Sequence, residues 1–237
     1  MRKLLIITLL IVGCEKSTAP QDCAGVVDID GNCYATVQIG EQLWMAENLK
    51  VIHYNNGDEI PTGLSFGRDG EWANTTEGAY AVYDDNPTNA DIYGNLYNWA
   101  VIGDERGVCP DGFHTPSDDE YKELEMYLGM SQAESDSNYN RGTNEGSKLA
   151  GNVDLWNSGN LKENSEFGNS GFAAIPSGYR STRFGTYNNI GNDVIFYSST
   201  EGHNSCAYTR GLAYDSTNVS RHCYSKKHGA SVRCLKD

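Results

Sequence analysis

Seven cysteines, at positions 14, 23, 33, 109, 206, 223 and 234, are the residues of this chain with most chemistry to offer. None has the C-x-x-C spacing of a zinc or dithiol site. With Cys14 set apart, the remaining six suit three disulfides in an oxidising compartment, one of many connectivities that six cysteines allow. Cys23 and Cys33 flank the turn Asp30-Gly31-Asn32 and would staple a hairpin, and Cys206 and Cys223 sit on successive strand-like stretches, which leaves Cys109 and Cys234 for each other. His53, His114, His203, His222 and His228 show neither H-x-H nor H-E-x-x-H spacing, and no Gly-x-Ser-x-Gly elbow occurs. No catalytic residue, metal or cofactor is therefore expected. Asp84, Asp85 and Asp91 around Pro87 could ligate an ion, although a charged turn is the simpler reading. The run from Asp28 to Asn32 lacks the sixth-position Gly and distal Glu of a helix-loop-helix calcium site and reads as a hairpin turn.

Those cysteines need an exported chain. Arg2 and Lys3 precede an apolar run from Leu4 to Val12, too short to span a bilayer, which reads as a signal peptide over 1–13. Ile11-Val12-Gly13-Cys14 resembles the bacterial lipobox, so Cys14 is the expected lipidation site, the alternative being an ordinary residue of a longer secretory signal. Lipidation implies an anchor to a membrane, expected to be the outer membrane or cell surface. Residues 14–22 read as a polar tether and 23–237 as one domain without an internal linker. A formal net charge of -14 argues against a nucleic-acid partner.

The elements that must position any site follow from periodicity and punctuation. Val26 to Asn48 alternates as a three-strand meander, and Val51 to Asn89 is turn-rich and predicts long ordered loops. Ile92 to Val101 has the apolar spacing of a short buried helix. Cys109-Pro110 opens a rigid turn, and Ser117 with Glu120 makes a capping box for a helix with Tyr121, Leu124 and Leu128 on one face. Ser131 to Asn144 reads as helix edge or loop, and 146–149 as one helical turn. Strands are predicted over Val194 to Ser199, Cys206 to Tyr214 and Ala230 to Leu235. The stretch from Tyr179 to Val194 reads as a long irregular loop, the kind that carries function. Its Arg180, Arg183, Tyr187, Asn188, Asn192 and Asp193 are the candidate ligand-binding residues, mixing a flat aromatic face with directional hydrogen-bonding groups.

Several blocks together resemble the Fibrobacter succinogenes major paralogous domain: Asp28-Ile29-Asp30-Gly31-Asn32, Gln42-Leu43-Trp44-Met45-Ala46-Glu47-Asn48-Leu49, Tyr93-Gly94-Asn95-Leu96-Tyr97-Asn98-Trp99, Cys109 to Ser117, Gly171 to Arg180, Tyr197 to Thr200, and Ser231-Val232-Arg233-Cys234. Phe113 and Phe196 stand where that family more often has Trp, and the pair Cys23 and Cys33 looks like a local addition. The resemblance implies an α+β, C-type lectin-like domain with two short helices, small antiparallel sheets and long loops, closed by a disulfide from the helix-proximal Cys109 to the last strand at Cys234. It implies an exported surface protein of a family whose molecular function is mostly unassigned; a long irregular loop on a rigid body points to a module that binds a glycan or another surface protein, the alternative being a structural or adhesive envelope protein. The calcium-site motifs of true C-type lectins are represented only by Gly191-Asn192-Asp193, too little to predict a metal. Formylglycine-generating enzymes have a related fold but need a reactive cysteine pair, which this chain is not expected to spare.

Overall fold

The computed structural model describes residues 23–203 and 205–237; the expected signal peptide, the expected lipidation site Cys14 and the expected tether lie outside the described residues. Strands β1 (Val26–Val27) and β2 (Cys33–Tyr34) form a hairpin closed by the Cys23–Cys33 disulfide. Its turn is filled from within. The buried Asp28 carboxylate accepts from the N–H groups of Asp30 and Asn32, the Asn32 side-chain amide and the Tyr34 hydroxyl. Strands β3 (Thr36–Ile39) and β4 (Gln42–Met45) form a second hairpin, so the expected meander is two hairpins in separate sheets.

Residues 46–79 carry only helix α1 (Glu71–Asn74), followed by β5 (Tyr80–Ala81). The single helix expected over 92–101 is broken. Helix α2 (Pro87–Tyr93) opens on Pro87, where a missing N–H costs nothing, and stops at Gly94, whose φ of 74° and close approach to Asn48 exclude a side chain. Strand β6 (Leu96–Tyr97) then pairs with β5 before helix α3 (Trp99–Ile102). Tyr97 exchanges both main-chain hydrogen bonds with Ala230 and donates its hydroxyl to the Val51 carbonyl. These tertiary partners outweigh the local helical period.

Strand β7 (Phe113–His114) leads into α4 (Asp118–Tyr127), which starts on the predicted Ser117–Glu120 capping box. Helix α5 (Gln132–Asp136) has a second box, Ser131 with Glu134, and is followed by β8 (Tyr139–Arg141), α6 (Glu145–Leu149) and α7 (Asn160–Glu163). The remainder is β9 (Ser177–Arg180), β10 (Tyr187–Ile190), β11 (Asp193–Glu201), β12 (Cys206–Ala213), β13 (Val219–Ser225) and β14 (Leu235–Lys236). The chain is thus α+β, but with seven short α-helices and one 3-10 turn (Tyr83–Asp85) among the described residues instead of two helices. The stretch expected as an irregular loop is the β9–β10 hairpin and its turn into β11.

The larger sheet has the order β10-β9-β11-β12-β13-β8 and is antiparallel except where β11 runs parallel to β9; the smaller is β3-β4-β14-β7. Between α4 and the larger sheet lies the main core, including Trp44, Tyr121, Leu124, Phe172, Phe196 and Leu212. Each such side chain contributes about 1.5–3 kcal/mol on burial. Within the same interface, Asp118 and Glu125 project from one face of α4 into three arginines. Glu125 accepts from Arg210 at 2.7 Å and from Arg141 at 2.5 Å, and Asp118 accepts from Arg210 at 2.8 Å and from Arg221 at 2.7 Å. Burial would raise the Asp118 pKa, but Arg221 and Arg210 hold it well below the usual carboxylate range.

The predicted pairs Cys109–Cys234 and Cys206–Cys223 are both formed. The former closes a separation of 125 residues. Such a closure stabilises by about 5 kcal/mol, comparable to the whole stability of many domains. Cys234→Ser is therefore expected to abolish cooperative thermal unfolding at 37 °C and above, read by calorimetry; a variant melting within a few degrees of the parent would contradict this.

The short strand β7 is also tied to the chain end through a titrating group. The His114 imidazole lies 2.7 Å from Asp237 and 2.9 Å from Glu120. Partial burial opposes its charge, but the two carboxylates outweigh it and raise its pKa above the ordinary histidine value. A raised folded-state pKa gives stability that is complete below about pH 6.5 and is lost as pH rises through the folded value. The melting-temperature advantage of the parent over His114→Gln should be largest near pH 6 and fade toward pH 9. A gap independent of pH would refute the assignment.

Candidate functional site

Strand alternation gives the larger sheet two different faces. Val194, Phe196, Leu212 and Val219 enter the main core. On the other face stand Asp193 and Ile195 of β11, Gly211 and Ala213 of β12, and Ser220, His222 and Tyr224 of β13. The β12 positions are small, and at Gly211 a Cβ would lie 2.5 Å from the Ser220 hydroxyl. The result is a trough of about 320 Å³ with a low floor, bordered by His222, Tyr224, Tyr179 and His228 and edged by Asn140, Asn189, Asp193 and Ser220.

The bordering rings form an unbroken run. Tyr139 meets His222 edge-on at 5.4 Å, His222 stacks on Tyr224 at 5.2 Å, Tyr224 meets His228 at 5.4 Å, and His228 meets Tyr179 at 5.6 Å. Such contacts are worth about 0.5–1.5 kcal/mol per pair and fix each ring before any ligand arrives. His228 is further held by a 2.7 Å hydrogen bond between Nδ1 and the Thr182 hydroxyl. Burial lowers the pKa of both His222 and His228, Arg141 adding to the effect at His222, so both rings are neutral at neutral pH. Asp193 is shifted the other way: burial raises its pKa against a hydrogen bond from Asn189.

Of the six residues expected to bind a ligand, only Asp193 lines the trough. Arg180 is 1% exposed. Its guanidinium lies between Trp72 at 4.3 Å, Phe66 at 4.8 Å and Tyr187 at 5.2 Å, and donates to the carbonyls of Gly185 and Leu64. It ties the β9–β10 hairpin to the loop before α1 instead of facing solvent. Tyr187 is half-buried, with its ring against Tyr83 and Phe66 and its hydroxyl on Asp85. Asn188 donates to the Thr186 carbonyl and Asn192 accepts from Asn157, both holding turns. Arg183 is exposed at the hairpin tip, with its guanidinium over Phe184. Among the described residues no three His, Cys, Asp or Glu side chains form a group able to hold a metal, Asp84, Asp85 and Asp91 included.

Sequence reasoning missed His222, Tyr224 and His228. Their signal was legible: Ala207, Thr209, Gly211 and Ala213 are small at alternate positions beside Ser220, His222 and Tyr224 on the next strand. A second cavity, of about 540 Å³, lies by Asn48, Gly94 and Ala173 and is reached by Arg233. The Arg233 donors are already engaged. Nε and Nη2 donate to Asn48 Oδ1, Nη2 also to the Ala173 carbonyl, and Nη1 to the carbonyls of Phe172 and Met45. That side chain serves as a structural clip, with no N–H left for a ligand.

Among the described residues no helix is long and apolar enough to cross a membrane. The family model of the Fibrobacter succinogenes major domain matches residues 37–236. No curated protein and no solved structure matches the chain. The match takes in the strands that frame the trough and the terminal segment behind them, and the chain belongs to the Fibrobacter succinogenes major domain family.

Proposed function

We propose that this protein is an exported, lipid-anchored binding module with a C-type lectin-like fold, and that the trough on its larger sheet holds a glycan without calcium. The observation that carries the reading is the run of four rings, His222, Tyr224, His228 and Tyr179, beside a floor of small residues. A pyranose has an apolar C–H face, which stacks on Tyr and neutral His rings, and a hydroxyl rim, which matches Asn140, Asn189, Asp193 and Ser220. A protein partner would need about 800 Å² of contact on each side, whereas a concavity of about 320 Å³ suits a small ligand or sugar units of a chain.

Export is supported by three disulfides, which persist in oxidising compartments. The lectin-like reading rests on a last strand that pairs with β4 and directly follows Cys234, which is cross-linked to Cys109 in the segment before α4. A binding role, not a thiol-dependent enzymatic one, accords with the engagement of all six described cysteines in disulfides. The anchor is Cys14. Replacement by Ala should move the protein from the membrane fraction to the soluble fraction, and continued membrane attachment with the signal removed would contradict the lipid assignment.

A glycan array probed in calcium and again in EDTA tests the site. The expected outcome is the same set of bound glycans in both, with signal reduced about tenfold or more in Tyr224→Ala, as for a central aromatic contact. Binding abolished by EDTA, or untouched in Tyr224→Ala, would defeat the proposal.

A further inference from the structure

We propose that the ligand of the trough is an uncharged glycan, with anionic glycans excluded. This deepens the reading above and rests on it. The observation that carries it is the charge of the lining. Among the residues that line the trough there is no Lys or Arg, and the one ionisable acid is Asp193. Asp215 lies near enough to add to the negative potential there. The nearby cations are committed elsewhere: Arg141 to Glu125 at 2.5 Å and Lys226 to Glu201 at 2.7 Å. His222 and His228, neutral at neutral pH, supply no compensating charge.

A uronate or sulfate entering this trough would lose its hydration beside Asp193 with no cation to receive it. Such like-charge burial is strongly disfavoured and acts as selection against the wrong ligand. The net charge of -14 extends the same repulsion to the approach. Neutral hydroxyls meet no such penalty, since Asn140 and Asn189 carry amide donors and acceptors and Ser220, whose hydroxyl hydrogen goes to the Gly211 carbonyl, can still accept.

Affinity electrophoresis of the full domain at pH 7.5 in EDTA provides the test, with arabinoxylan, glucomannan and mixed-linkage β-glucan as neutral polymers and polygalacturonate and alginate as anionic ones. At least one neutral polymer should retard the protein. Retardation should weaken about tenfold in both Tyr224→Ala and His222→Ala, whose folding is checked by melting temperature, and the anionic polymers should have no effect. Retardation by polygalacturonate that is lost in the same two variants would overturn the charge selection and leave the trough as the site. No retardation by any polymer, or retardation undiminished in both variants, would overturn the glycan reading itself.

Discussion

Residues 229–235 hold the molecule together. Over this span the main chain bonds in turn to Arg180 of β9, Tyr97 of β6, Ile195 and Tyr197 of β11, Leu49, and Met45 of β4. These partners come from distant parts of the sequence, and gathering them costs chain entropy that local structure does not return. Two side chains of the same segment offset that cost. Cys234 is cross-linked to Cys109. Arg233 is fully buried, stacked on Phe172 at 4.5 Å, and hydrogen-bonded to Asn48 and to the carbonyls of Met45, Phe172 and Ala173. Burial lowers its pKa to about 9. A cation is tolerated there because oxygens surround it, and among its anchors is Ala173, which stands at a φ of 56° that a non-glycine residue rarely adopts.

The trough depends on that closure through the sheet it shares. Behind β12 and β13, Arg210 and Arg221 are fastened to Asp118 and Glu125 of α4, so the strands cannot shift without exposing or unpairing buried charge. In front, the rings touch one another and His228 is fixed by Thr182. A surface whose rotamers are already settled loses little entropy when a ligand lands, and this is how a shallow site gains useful affinity.

Features governed by local rules could be read from the sequence. Ser117 and Glu120 announced α4, cysteine parity pointed to the three bridges, and alternation located β11 and β12, whereas the strand expected over Ala230 to Leu235 is regular only at Leu235. Features decided by distant partners could not. Leu96 and Tyr97 have helical spacing but are extended because Leu96 pairs with Ala81 of β5 and Tyr97 is hydrogen-bonded to Ala230 and Val51. Arg180 looks like a surface contact by composition and is buried because Trp72, Phe66 and Tyr187, all remote in sequence or across a turn, form a box around it. The trough lay between these cases: its alternating small and ringed positions were visible, but their common face emerges only when β12 and β13 are paired in register.

Native-state hydrogen exchange tests the central claim that residues 229–235 are the keystone. The amides of Ala230 and Ser231, with those of Tyr97, Tyr197, Met45 and Leu49 that meet the same segment, are predicted to exchange only through global unfolding and to share its free energy and denaturant dependence. Exchange of these amides through local openings, well before those of the β11–β12 ladder, would contradict the account.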